Sequence, residues 1–214
     1  MRPPHLFLPL ALLALAGCVS LSRHSPAVQH YVLSGLRTPR VVSSADSGGL
    51  SVGIRRMDLA PYLATPSVIV RRGVHVVEAS AFHRWGEDLG GGINHTIAAH
   101  LANRAPVHHV NVAPWAARTY HDYLVQLHVL RFEGAADSAA ITAGVHVVAT
   151  WDIIRPVDAV MLVRGTTEYR GGRFPVGDYH ALVAELNVAL QRVADDLRRC
   201  LTRFVADSLP RACE

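Results

Sequence analysis

The chain contains no lysine: all 21 of its basic side chains are arginine, against 17 acidic ones, and the formal net charge is only +4. No arginine cluster is interleaved with aromatics, which excludes the usual electrostatic footprint of a nucleic-acid binder. Cysteine is scarce, three in 214 residues, and neither CxxC nor HExxH occurs, so a redox dithiol or a zincin-type metal centre has no sequence support. No serine sits in a GxSxG elbow, and no glycine-rich stretch ends in GK[ST]. The nearest to a phosphate loop, residues 86–94 (GEDLGGGIN), carries Glu87 and Asp88, whose charge would repel phosphate. The apolar run at residues 6–16 is about half the roughly 20 residues that a spanning helix requires, and Pro9 interrupts it.

Histidine is plentiful, with thirteen copies, but its spacing is wrong for a metal. His95 and His100 are five apart and fall on different faces of a helix, while His108 and His109 are adjacent and diverge on a strand. His128 and His146 could face each other across a hairpin on its wetter side, where solvent-facing histidines are the ordinary outcome. No metal site, cofactor or catalytic residue is expected. The chain reads as a binding or assembly protein.

The N-terminus is the most informative local segment. Arg2 supplies a positive start, residues 6–16 (LFLPLALLALA) an apolar core, and Leu15-Ala16-Gly17-Cys18 matches the lipobox of bacterial lipoproteins. The expectation is a signal peptide over residues 1–17 and a mature chain beginning at an acylated Cys18; an ordinary signal peptide with an incidental cysteine is the competing reading. Each buried methylene of a lipid chain contributes roughly 0.8 kcal/mol, so an anchor of several chains holds the protein on its membrane. Val19 stands where an aspartate would favour retention at the inner membrane, and resemblance to enterobacterial lipoproteins then favours the periplasmic face of the outer membrane. Residues 19–29 have no helical or alternating period and read as a tether. Eleven residues reach at most about 36 Å, and nearer 20 Å as a coil, so the folded part sits close to the membrane. Cys200 and Cys213 are an even pair in an oxidising compartment: a bridge would contribute on the order of 3 kcal/mol, and two independent thiols are the alternative.

Residues 30–36 and 50–57 predict strands, and the β-branched runs 67–72 and 74–79 around Gly73 predict a hairpin. Between residues 85 and 104, Ile93, Ile97 and Leu101 follow helical spacing, and the triplet Gly90-Gly91-Gly92 predicts a helix that starts after it or bends there. Residues 123–132 and 145–153 alternate apolar and polar positions on either side of a short connection, the pattern of an antiparallel hairpin, and residues 160–169 add a strand. The longest period is the last. Leu182, Leu186, Ala189, Leu190, Val193, Leu197, Leu201 and Phe204 share one helical face, with Asp178 as N-cap and Asp195 placed to pair with Arg199. These elements predict a single α/β domain: a mixed or largely antiparallel sheet of about six or seven strands packed by two main helices.

Taken in order, these segments resemble a family. Tyr31-Val32-Leu33, Val52-Gly53, Pro61-Tyr62-Leu63, Pro66, Ile69-Val70-Arg71 and the tetrad Phe82-His83-Arg84-Trp85 are similar to the ABC-type transport auxiliary lipoproteins of the PqiC/YmbA type, outer-membrane partners of MCE transport systems. Pro114-Trp115, Asp122-Tyr123, residues 129–134 (VLRFEG), Ala149-Thr150-Trp151 and Asp178-Tyr179 continue the resemblance in the same order, over about residues 30–206, with 207–214 as a C-terminal tail. The resemblance implies a non-enzymatic subunit of a lipid or intermembrane transport machine that supports membrane integrity. Its partners would be a periplasm-spanning MCE-domain protein and the inner-membrane permease and ATPase behind it; a homo-oligomer is compatible. Phe82, Trp85 and Trp115 are the candidate partner contacts, and filling of the core is the competing role for each. Two other classes stay open: a stand-alone periplasmic lipid- or solute-binding lipoprotein, and a small hydrolase whose only support is the histidine count.

Overall fold

The computed structural model describes residues 26–33, 49–104, 107–137, 140–206 and 213. The signal segment, Cys18, most of the tether and most of the C-terminal tail lie outside them. Nine strands form one mixed, open sheet with two helices packed on it. They are β1 (Gln29–Tyr31), β2 (Leu50–Ile54), β3 (Asp58–Leu59), β4 (Ser67–Arg72), β5 (Val76–Trp85), β6 (Val107–Val112), β7 (Tyr123–Ala136), β8 (Thr142–Arg155) and β9 (Val160–Pro175). The helices are α1 (Leu89–Arg104) and α2 (Tyr179–Ala206), and a single 3-10 turn spans Pro61–Leu63.

The sheet is organised around β7. One edge of β7 pairs along its length with β8, antiparallel, and β8 carries β9 in the same sense. The other edge is shared by three short strands that run parallel to it: Val52 lies opposite Tyr123, Asp58 opposite His128 and Val70 opposite Gly134. Parallel strands are slanted in their hydrogen bonding and require a crossover; α1 and β6 supply it here. The sheet therefore branches. β2 carries β6, whereas β4 carries β5 and, beyond it, β1. Gly73 turns the β4–β5 hairpin with φ +61°, a left-handed conformation that glycine adopts without a Cβ clash. β1 is held by more than its three pairs: Tyr31 OH lies 2.9 Å from His83 Nδ1, and the His83 ring stacks at 3.9 Å on Tyr179, the first residue of α2.

Alternation along the strands and the helical period of α2 meet in one core. Val125, Leu127, Val129 and Phe132 of β7 and Val145, Val147, Trp151 and Ile153 of β8 face Leu186, Leu190, Val193 and Leu197 of α2, all buried. Asp178 Oδ1 accepts the Ala181 N–H at 2.9 Å and caps α2, which at 28 residues is about 42 Å long. Ile93, Ile97 and Leu101 of α1 enter the same core, and α1 packs on β6 and α2.

Several expectations change in detail. The described residues form nine strands rather than six or seven, the first ends at Tyr31, and β9 runs to Pro175. Trp85, the first residue of the segment with helical spacing, closes β5 and lies outside the helix. α1 begins at Leu89 and takes the glycine triplet into its first turn. That turn has unpaired N–H groups in any helix; Asp88 Oδ2 accepts the one of Gly91 at 2.8 Å, and a Cβ on Gly92 would meet Glu87 Oε1 at 2.9 Å. On α2, Arg199 pairs with Asp196, while Asp195 pairs with Arg198.

Cys200, buried on α2, is joined by a disulfide to Cys213, with 5.1 Å between the Cα atoms. Closing a loop with a sequence separation of 13 contributes roughly 3 kcal/mol through the unfolded state. Denaturant unfolding with and without reductant should therefore differ by about that amount, and the unreduced folded protein should resist thiol alkylation. Coincident unfolding curves would remove the bridge's stabilising role.

Candidate functional site

The face of the sheet away from the core carries a network of charged side chains. Its centre is Glu133, whose position follows from a register shift in β7. Between Val129 and Arg131 the pairing with β8 slips, so that Phe132 rather than Arg131 points into the core, and Glu133 lands opposite His146. Glu133 is fully buried, at 0 % exposure. Such a carboxylate is costly unless its lone pairs are satisfied, and here three side chains do so. Arg71 on β4 donates from Nε to Oε1 at 2.5 Å and from Nη2 to Oε2 at 3.1 Å, a two-point contact suited to the planar guanidinium. The Tyr62 hydroxyl donates to Oε2 at 2.7 Å, and Arg131 Nη1 lies 3.6 Å from Oε1. Burial, and then the hydrogen bond to Glu133, push the Tyr62 phenol up to about 12, so it stays a donor.

The network continues across β8 and β9. His146 Nε2 is 2.9 Å from Glu168 Oε1, and its Nδ1 is 3.3 Å from Arg131 Nη1. A carboxylate only accepts and a guanidinium only donates, so the neutral ring carries its proton on Nε2 and accepts through Nδ1. Desolvation holds the His146 imidazole below its ordinary 6.5, aided by the charges of Arg170 and Arg131 and opposed by Glu168. Arg170 in turn bonds Glu168 at 2.7 Å and, together with His146, lowers that carboxyl.

A second cluster lies further along the same face. Arg164 grips Asp152 at 2.6 and 2.8 Å, which holds the Asp152 carboxyl below its usual range. His128 stands between two carboxylates, Nδ1 3.1 Å from Asp58 and Nε2 3.6 Å from Asp152. His128 and His146 share the face but not a pair: His128 lies opposite Thr150. Among the described residues no three His, Cys, Asp or Glu side chains gather as metal ligands would. The carboxylates of the network are engaged by cations, and no nucleophile stands beside a base in it. What the geometry provides is a rigid, charge-balanced platform joining β3, β4, β7, β8 and β9.

One polar chain crosses the opposite face. Trp151 Nε1–H donates to Thr167 Oγ1 at 3.2 Å, and Thr167 donates to Asp196 of α2 at 2.8 Å. The Trp151 ring lies flush on the β9 backbone at Gly165, where a Cβ would approach within 2.2 Å of it. Neither this relay nor Glu133 was singled out as a site from the sequence. The signals for them are an acidic residue immediately after Phe132 and a glycine in mid-strand.

The family model for the ABC-type transport auxiliary lipoprotein component matches residues 31–198. The chain belongs to that family. No curated protein matches the chain. Among solved structures, a protein of Xanthomonas campestris described under the DUF330 family model is 16 % identical, with a TM-score of 0.66 over 84 % of this chain and 99 % of its own. The structure of an uncharacterised protein is 12 % identical, with a TM-score of 0.60 over 82 % and 99 %. At these identities the likeness concerns the fold. The ABC-type transport auxiliary lipoproteins are not an enzyme family, and as lipoproteins they are membrane-anchored components of the envelope. Among the described residues no helix is long and apolar enough to cross a membrane.

In this auxiliary lipoprotein the three aromatic candidates are not brought together. Trp85, at 6 % exposure, is part of the core and meets Phe132 with 6.0 Å between ring centroids. Phe82 is 38 % exposed on β5, in the β4 branch of the sheet. Trp115 is half-buried beyond β6, in the other branch, edge-on to His121 at 4.7 Å.

Two outcomes follow from the Glu133 network. Glu133→Gln leaves Arg71 without its counter-charge and should lower stability by about 3 kcal/mol, whereas the paired change Glu133→Leu with Arg71→Met should recover most of that loss, because Tyr62 keeps the Leu130 carbonyl at 3.2 Å as acceptor. Urea unfolding of the three proteins decides it, and a single variant as stable as wild type would show the pair to be idle. For His146, the depressed folded pKa means that the unfolded chain binds the proton more readily. Its contribution is present above about pH 6.5 and is lost as pH falls through the folded value. Unfolding free energy should thus fall more steeply from pH 7 to pH 5 in wild type than in His146→Gln; parallel slopes would mean that another group carries the dependence.

Proposed function

We propose that the protein is the lipid-anchored auxiliary subunit of an MCE-type ABC transport system, which docks the periplasm-spanning component at the outer membrane during transport of lipid or another hydrophobic substrate. The observation that carries this reading is the family match over residues 31–198, standing behind a lipobox whose acylated residue is Cys18. The ten residues between Cys18 and β1 supply at most about 35 Å, so a partner must bring the inner-membrane permease and ATPase within reach through a long MCE-domain protein. A charge-balanced sheet face suits docking better than turnover, since its carboxylates are held by cations. Phe82 and Trp115 are the candidate contacts at the surface, with Trp85 supporting β5 from beneath.

The test is gentle co-purification of the tagged, lipidated protein from its native envelope, with Cys18→Ala as control and mass spectrometry of what accompanies it. An MCE-domain protein should be enriched with the wild type and should fractionate with the outer membrane. A lipidated protein recovered alone would overturn the docking role.

A further inference from the structure

Hairpin turns are usually built from glycine, proline, asparagine, aspartate and serine, which suit both the turning backbone and water. Two connections of this sheet instead display β-branched aliphatic side chains. Val74, in the middle of the turn between β4 and β5, is 75 % exposed, and Ile141, immediately before β8, is 85 % exposed. Both lie at one end of the sheet, because β4 and β7 run parallel and finish together, Arg72 opposite Ala136, and β8 starts from that end. The Gly73 N–H donates to the Ala136 carbonyl at 2.9 Å, and a cleft of about 360 Å³ between the two turns is lined by Gly73, Ala136 and Ala140. Val76 and Val77 add exposed apolar surface where β5 begins.

The backbone at each of these residues is tied to its surroundings. Arg71, whose Nε and Nη2 grip Glu133, gives an Nη1–H to the Val74 carbonyl at 3.3 Å. The Ile141 carbonyl accepts the Val176 N–H at 3.0 Å. Exposed apolar surface of this kind marks contact with protein or with lipid, and the course of the chain favours lipid. β1 runs parallel to β5, with Gln29 opposite His83, so the chain enters β1 from the side on which β5 begins. That is the end of Val74 and Ile141. From His83 back to Val74 the distance is at most about 31 Å, and the ten residues between Cys18 and β1 reach about 35 Å. Acyl chains on Cys18 can therefore share a plane with the two turns. Val157, equally exposed in the turn between β8 and β9, lies beyond the far end of β8, about 45 Å away.

We propose that this end of the sheet is the membrane-contacting face of the protein: Val74 and Ile141 enter the acyl boundary of the phospholipid bilayer that holds Cys18, with Val76 and Val77 at its surface. The inference rests on the lipid anchor at Cys18 and not on an MCE partner. Asp137 and Arg173 both line the cleft between the turns, one acid against one base, so the contact is apolar and requires no particular head-group charge.

The lipidated, full-length protein, reconstituted in phosphatidylcholine vesicles with brominated acyl chains, tests this with an environment-sensitive fluorophore on Val74→Cys, Ile141→Cys or Val157→Cys in turn. The Cys200–Cys213 disulfide and the acylated Cys18 leave the introduced thiol to be labelled. Flotation with the vesicles reads the anchor, and quenching by bromine reads the contact. Labels at positions 74 and 141 should shift to the blue and be quenched, and the label at position 157 should show neither change. Val74→Asp with Ile141→Asp should abolish quenching of a label on Val76→Cys while the protein still floats; these side chains are exposed, so the core is untouched. Protein that fails to float would overturn the anchor and the proposal with it. Floating protein with unquenched labels at 74 and 141, quenching of all three labels alike, or quenching at 76 that survives the double substitution would overturn the proposal and leave the anchor standing. A blue shift without quenching would mark a second copy of the chain or another protein over this end, and would overturn the lipid contact.

Discussion

Backbone pairing along the fourteen residues of β7 is the constraint on which the rest of the structure depends. Every buried N–H and C=O of a central strand must find a partner, and β8 alone can satisfy only one edge. The other edge is completed piecewise by β2, β3 and β4, with the 3-10 turn taking up the extra chain between the last two. That division lets two unrelated wings grow from one spine, β6 from β2 and the β5–β1 pair from β4. It also puts Tyr62, in that turn, and Arg71, on β4 beyond it, beside Glu133. The polar network is thus a product of the edge-sharing, not an addition to it.

The two faces of the sheet solve opposite problems. The helix side gains from burying apolar area, and a polar relay, Trp151 to Thr167 to Asp196, helps to fix how α2 sits. The open side buries a carboxylate that contributes little net stability once desolvation is counted, yet it ties five strands together through groups that fit only in one register. Such a network holds the charged groups of the open face in a fixed arrangement.

Much of this was legible in the sequence where the signal is local. The period of α2, from Leu182 to Phe204, translates directly into buried positions, because a helix closes its own hydrogen bonds and only the apolar stripe has to find a partner. The β4–β5 and β7–β8 hairpins follow from short connections between alternating runs. What was not legible depends on register and on long-range encounter. β3 is two residues long and carries no pattern, and His128 and His146 share a face without facing each other because their partners are fixed by the β7–β8 pairing. Unbroken alternation would put Glu133 on the core face; the register shift in β7 turns it to the open face, where side chains 62 and 71 positions earlier in the chain bury it. The glycine triplet was misleading for a related reason: propensity disfavours it inside a helix, but Asp88 supplies a cap for the first turn, and Glu87 lies where a side chain on Gly92 would go.

The placement of β1 has a mechanical consequence. Any pull on the N-terminal segment enters the domain through three residues, Gln29 to Tyr31, whose backbone pairs only with the end of β5. From there the load divides, one path crossing β5 and β4 to the spine and the other passing through the Tyr31–His83–Tyr179 stack into the first turn of α2. Both paths start in the wing that holds Phe82, and neither runs through the backbone of β6. Tension on the leash would strain one half of the sheet and leave the far wing slack.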